Sequence, residues 1–270
     1  MTLFLIGLGL GDEKDITVKG LEVVKQADVV YLEHYTSILG VDKAKLEKFY
    51  GREVILADRE LVEQHAEEQL VKLAKHKNVA LLVVGDPFGA TTHTDLVLRA
   101  KAAGAKVEIV HNASILNAVG VVGLELYKYG ATTSIPFWEP GFEPETPYDA
   151  IKENKARGLH TLCLLDIKVK EPSKEDLQRG VSTPRPPRFM TVTQALESLL
   201  AIEQRRREGV LGPETLVVGV ARIGQHDQRI IAGTIAELLK TDFSKPLHSL
   251  IVPGTLHHVE EEALEQWRRG

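Results

Sequence analysis

Val79-Ala-Leu-Leu-Val-Val84 runs six residues without a polar side chain and ends at once in Gly85-Asp86-Pro87. A strand with one wet face alternates apolar and polar residues. A strand with no polar position is covered on both faces, the condition of a parallel sheet flanked by helices. Residues 3–8, 28–32, 52–56 and 106–110 carry similar short, β-branched runs and read as strands. Between them, residues 17–27, 61–76 and 94–103 have apolar positions at helical spacing, with Gly104 a natural cap. This alternation predicts an α/β fold with a mainly parallel sheet.

The pattern changes after residue 111. Residues 114–127 read as a helix rich in small side chains, 134–138 as a strand, and 137–147 as a loop with prolines and aromatics. A helix over 146–157, a strand over 161–167, a helix over 191–206, strands over 215–221 and 247–252, and a helix over 234–239 complete the second half. The tail from His257 reads as a charged helix or a frayed end. Residues 168–188 hold too many prolines and charges for a helix or central strand and read as an exposed loop. The expected division is 1–111 and 112–270.

Thirty-eight acidic residues against 33 Lys plus Arg give a net charge of −5. Duplex nucleic-acid binders are normally basic, so the balance points away from a direct nucleic-acid partner and leaves a basic protein surface open. The single cysteine, Cys163, lies in an apolar run and reads as a buried, inert thiol. The apolar start MTLFLIGLGLGDEKD lacks a basic leader, and acids follow it at once, so it does not read as a signal peptide. No run approaches the roughly 18 apolar residues that span a bilayer. A cytoplasmic protein without a membrane span is expected. The ten histidines are scattered, and His257-His258 are adjacent rather than at chelating spacing, so no metal is expected.

The first strand runs into Gly7-Leu-Gly-Leu-Gly-Asp12. A dinucleotide fingerprint needs glycine at position 12, with an acid about 20 residues further on for the ribose. Glu33 has that spacing, but position 12 is Asp, and Asp12, Glu13 and Asp15 crowd the turn before the helix. Pyrophosphate needs free N–H groups and a helix N-terminus, and an acidic cluster opposes it. S-adenosylmethionine (AdoMet) is a sulfonium cation with no phosphate, and the same loop suits it. In the second loop, Asp86 stands at the carboxyl end of a buried strand, where α/β sheets bind ligands. It is placed to receive an ammonium or ribose hydroxyls, or simply to close an Asx-turn.

The two loops together resemble the tetrapyrrole (uroporphyrinogen/precorrin) methylase family of AdoMet enzymes, and within it the diphthine-forming branch. The ordered set is Ile6-Gly-Leu-Gly-Leu10, Asp15-Ile-Thr-Val-Lys-Gly-Leu21, Tyr35-Thr-Ser37, Gly85-Asp-Pro87, Ala90-Thr-Thr-His93, His160-Thr-Leu162, Leu165-Asp-Ile167 and Ile251-Val-Pro-Gly254. The resemblance implies a two-domain α/β fold with AdoMet in the inter-domain cleft and S-adenosylhomocysteine as product. It implies cofactor contacts from Leu10, Asp86, Gly89, Ser114, Ile115, Leu165, Ile223 and His248. It also implies a homodimer and a protein substrate, translation elongation factor 2. The acceptor would be the amino group of a 3-amino-3-carboxypropyl chain built on one of that factor's histidines.

Read from the residues alone, Ser114 is equally a helix N-cap, and Leu165, Ile115 and Ile223 are equally core. No residue stands out as a base, and Glu33, Asp166 and His93 are candidates by type only. Two other activities stay open at this point: methylation of a corrin or sirohaem precursor, and a nicotinamide-dependent oxidation. A nucleotide-binding regulator without turnover is a third alternative.

Overall fold

The computed structural model describes residues 1–35, 37, 39–169 and 186–268. The chain forms two compact units. One comprises Met1–Ala118 with Gly224–His226, the other Val119–Ile223 with Asp227–Gly270.

The first unit is built on a five-stranded parallel sheet. Its strands are β1 (Thr2–Gly7), β2 (Val29–Glu33), β3 (Ile55–Ala57), β4 (Val79–Val83) and β5 (Lys106–Val110), in the order β3-β2-β4-β1-β5. Every residue of β4 is buried. Val79, Leu81 and Val83 join one apolar cluster with Leu96 and Ala100, while Ala80 and Leu82 join another with Val24 and Leu46. Two covered faces explain the unbroken apolar run.

Because β1 and β4 pair directly, with Gly7 opposite Val83, their glycine-bearing ends lie side by side. Loops about 75 residues apart in the chain thereby become neighbours at the carboxyl rim, where open α/β sheets hold ligands. The helix His93–Ala102 follows the second loop and buries His93, Leu96 and Ala100 at helical spacing.

The second unit has a different sheet: β6 (Thr133–Ile135), β7 (Thr161–Leu165), β10 (Leu216–Ala221), β11 (Arg229–Thr234) and β12 (His248–Val252), in the order β11-β10-β12-β7-β6. Only β6 and β7 are parallel; the other pairs are antiparallel. A separate antiparallel pair joins β8 (Ile167–Lys168) to β9 (Arg188–Phe189).

Several expectations change. The helix expected over 114–127 is one α-turn, Ile115–Ala118, followed by 3₁₀ turns at Val119–Val122 and Leu126–Lys128. Gly123, in the left-handed region at φ 95°, ends any continuation. The helix expected over 61–76 is two π-helical turns, Glu60–Gln64 and Glu67–Val71, running into Lys72–Ala74. β11 is a strand the pattern reading passed over, because its apolar stretch is only three residues long, Ile230–Ala232. The strand expected over 134–138 stops at Ile135, ahead of Pro136, which has no N–H for a ladder. Of the expected loop 168–188, residues 170–185 lie outside the described residues, and its flanks belong to β8 and β9.

Among the described residues no helix is long and apolar enough to cross a membrane, and no cluster of metal-ligating side chains is found. Cys163 is free, and complete burial pushes its thiol up to about 12, so it carries no thiolate at neutral pH.

Candidate functional site

The two glycine loops are zipped together at the rim of the first sheet. Gly9 N–H donates to the Gly85 carbonyl at 3.2 Å, and Gly85 N–H donates back at 2.7 Å. Both residues sit at positive φ, 77° and 80°, which glycine adopts without strain. A Cβ on Gly7 would lie 2.6 Å from the Gly85 carbonyl oxygen, and one on Gly89 would lie 2.7 Å from Ser114 Cβ and Oγ. These glycines are therefore required by protein packed against protein.

The acids of the first loop turn inward to hold it. Asp15 Oδ2 accepts the Leu10 and Gly11 N–H groups at 3.2 and 2.7 Å. Asp12 Oδ1 accepts from Lys14 N–H, and the buried Glu13 pairs with Lys45 at 3.0 Å. In a dinucleotide site the N–H groups of the turn face phosphate. Here two of them are consumed by a carboxylate, and the loop's electrostatic character is negative. That removes the basis for the nicotinamide reading. Glu33, the acid at ribose spacing, is fully buried and accepts from Tyr35 N–H at 2.7 Å, out of reach of a ribose.

Asp86 closes the Asx-turn weighed above: its Oδ1 accepts from Phe88 N–H at 2.9 Å. Its Oδ2 accepts from the Asn112 N–H at 3.0 Å and from His111 Nδ1 at 2.8 Å. Partial burial pushes this carboxyl up, but the bonds from Phe88, Asn112 and His111 outweigh it and hold Asp86 below the usual carboxylate range. An ionised Asp86 thus ties the second loop to the end of β5. The Pro87 carbonyl accepts from the Thr91 hydroxyl and from His93 Nδ1, which gives Thr91 and His93 beyond the turn a structural role.

The residue that sequence reasoning missed is Asn112. Its Nδ2 donates to the carbonyls of Gly7 and Asp15, both at 2.9 Å, while its Oδ1 accepts from Ala113 N–H. One amide joins β1, the glycine loop and β5. The available signal was position: it lies just past the carboxyl end of β5.

Ser114 is buried, and its carbonyl accepts from Ala118 N–H, so it stands at the N-terminus of the α-turn. Ile115 and Leu10 are half-buried. The tip of a third loop belongs to the same unit: Gly224 packs on Leu10, and its carbonyl oxygen lies 2.9 Å from where a Gly11 Cβ would be. The first unit therefore gathers Leu10, Asp86, Gly89, Ser114 and Ile115 around one rim.

The second unit holds the other three expected residues. Leu165 ends β7, Ile223 follows β10, and His248 opens β12; all are buried. His248 Nε2 lies 2.9 Å from the Lys245 carbonyl, which can only accept, so Nε2 carries the proton and Nδ1 is an acceptor. Nδ1 is buried and has no hydrogen-bond partner among the described residues. An unpaired buried acceptor costs stability unless a donor meets it. The imidazole fits a ligand with N–H donors, as adenine has.

The candidates named by type are engaged in structural roles. Asp166 Oδ2 accepts from Phe137 N–H at 2.9 Å. His93 is buried with Nδ1 on Pro87, and Glu33 is buried as described.

The sequence matches the model of the tetrapyrrole (corrin/porphyrin) methylases over residues 2–239. The chain belongs to that family and is an AdoMet-dependent methyltransferase. It is 54% identical to the diphthine methyl ester synthase of Dictyostelium discoideum, covering 99% of this chain and 98% of that protein. It is 56% identical to the Mus musculus protein of the same name, covering 97% and 95%. A crystal structure of diphthine synthase superposes with a TM-score of 0.84 at 36% identity, covering 99% of this chain and 96% of that one.

Proposed function

We propose that this enzyme methylates the 3-amino-3-carboxypropyl side chain built on a histidine of translation elongation factor 2, giving diphthine and then its methyl ester. The observation that carries the reading is the Asp15 carboxylate on the Leu10 and Gly11 N–H groups. It makes the glycine loop a site for a cation rather than for phosphate. Identity above half to diphthine methyl ester synthases over nearly the whole chain supports the acceptor. A corrin or sirohaem precursor, rich in carboxylates, is a poorer match to the acidic loop.

AdoMet supplies a methyl group on a sulfonium that departs as a neutral thioether, so the leaving group needs no acid. The acceptor lone pair forms the new bond to the methyl carbon as the sulfur–carbon bond breaks. An amine must first lose a proton to solvent; a carboxylate oxygen needs no base at all. That fits a site where Glu33, Asp166 and His93 are each committed elsewhere. What the protein provides is positioning, which alone can contribute several kcal/mol to lowering the barrier. We assign Leu10, Asp86, Gly89, Ser114, Ile115, Leu165, Ile223 and His248 to AdoMet contact. Asp86 acts there chiefly by holding its loop. We also propose a cytoplasmic homodimer, which sedimentation would test.

Calorimetry with AdoMet, S-adenosylhomocysteine and NAD comes first, followed by incubation with AdoMet and elongation factor 2 bearing the unmethylated chain. Adenosyl binding without NAD binding, and stepwise methyl gain on the acceptor peptide by mass spectrometry, are expected. NAD binding, or no methyl gain, overturns the proposal.

A further inference from the structure

Arg222, the residue directly after β10, is a non-glycine residue at φ 52° in the left-handed region. Such a conformation costs free energy and persists where the surroundings over-determine it. Its guanidinium is buried and reaches three backbone carbonyls. Nη1 donates to Phe243 O at 3.1 Å and to Lys245 O, and Nη2 donates to Asp227 O at 2.9 Å. Nε lies 3.0 Å from Asp227 Oδ2, and the Arg222 N–H donates to Leu247 O at 2.9 Å. No contact with a reacting group is needed to explain any of these bonds. They share a purpose only in what they hold.

They hold two segments. The first is the loop 222–227. Arg222 and Asp227 are its feet, Ile223 follows Arg222 directly, and Gly224–His226 is the tip that packs on Leu10 and Gly11. Gln225 Nε2 also lies 3.5 Å from Leu10 O. The second segment is 243–248. The Lys245 carbonyl that receives Arg222 also receives His248 Nε2, and Ala221 stands opposite His248 in the sheet. Fixing Lys245 O therefore fixes which imidazole nitrogen of His248 carries the proton.

We propose that Arg222 is a positioning residue for cofactor binding: it shapes the loop that bears Ile223 and commits His248 to the Nε2–H tautomer, leaving Nδ1 to accept from an N–H donor of the adenine. The inference rests on the AdoMet reading above. Burial, reinforced by the Arg222 charge, holds His248 below its usual value despite the Lys245 and Ser244 backbone and Asp242, so the ring stays neutral. A lysine cannot replace this group, because one ammonium lacks the planar fork that spans three carbonyls and lies against a carboxylate.

The test compares wild type with Arg222→Lys and Asp227→Asn. S-adenosylhomocysteine affinity is measured by calorimetry, and the His248 tautomer by nitrogen-15 NMR of the ligand-free protein. Arg222→Lys is expected to bind about tenfold or more weakly, the scale of one or two lost charge-assisted bonds. At saturating AdoMet its kcat should stay near wild type, and His248 should spread over both tautomers. Asp227→Asn, a milder change, should move both readouts in the same direction. Wild-type affinity and an unchanged tautomer in Arg222→Lys overturn the inference, as does weaker binding with the tautomer intact, which marks a role in folding only. If wild type itself binds no adenosyl ligand, the AdoMet reading fails, and the tautomer still decides whether Arg222 sets His248.

Discussion

In the first unit Asp15 and Asp86 shape loops at the rim of a parallel sheet, and in the second the comparable work falls to Glu260, sunk in the core, and to the half-buried Glu203. Asp15 and Asp86 bond backbone N–H groups of the loops at that rim. Glu260, by contrast, is fully buried, with Lys128 and His160 against it and the Glu125 and His257 N–H groups donating to it. The His160 ring in turn accepts from Gly254 N–H at 3.0 Å. The half-buried Glu203 also gathers several donors, taking the Tyr148 hydroxyl at 2.6 Å and three successive N–H groups, Gly209 to Leu211. The lesson is a division of labour. Rim carboxylates shape a turn, where modest energies suffice. Buried ones pin distant segments together and are costly to disturb.

The largest break in the comparison should come from Glu260→Gln. It takes the counter-charge from a largely buried Lys128 ammonium and weakens the bonds from His160 and two N–H groups, at a cost of about 2–3 kcal/mol. Both tryptophans, Trp138 and Trp267, belong to the second unit, so fluorescence-monitored denaturation reads that unit alone. A marked fall in its midpoint is expected, and an unchanged midpoint would remove Glu260 from its structural role.

Acid should separate the units next. Burial opposes the ionisation of Glu260, but bonds from Lys128, His257, Glu125 and His160 hold its carboxyl at about 2, against 4.5 for the free group. Glu203 is also held at about 2. A depressed folded value means stabilisation that is full above 4.5 and drains away as pH falls toward 2. His160 is pushed below 6.5, mainly by burial, so the unfolded chain takes up a proton that the folded one refuses, and stability already declines below 6.5. Hydrogen exchange between neutral pH and pH 4 should show the second unit loosening before the first; the reverse order would refute this account.

The smallest and sharpest effect belongs to the rim. Asp15→Asn keeps the shape but removes the charge and weakens two N–H bonds, which should cost AdoMet about tenfold in affinity. S-adenosylhomocysteine, with no sulfonium charge, should lose less. Equal losses for both ligands would mean that Asp15 only shapes the loop.

How much of this could be read from the chain divides along physical lines. The β4 run and the two glycine loops were legible because two-sided burial and positive φ impose local residue requirements. So was the Asp86 turn, whose bond to Phe88 spans two residues. Asn112 was not legible, because its partners at Gly7 and Asp15 are about a hundred residues away, and nothing local to an asparagine announces them. The same holds for His160 and Glu260, also a hundred residues apart. β11 escaped because a three-residue apolar stretch becomes a strand only when β10 is there to pair with it.

The sequence by itself therefore determined the α/β alternation, the loop chemistry and the exclusion of a dinucleotide turn at position 12, since each follows from side chains acting on their own backbone. Only the tertiary structure decided that the loop's acids bind its N–H groups. It alone made one histidine a pinned core group and another a neutral acceptor. Those outcomes depend on which distant groups burial brings together and on what proton state that burial permits.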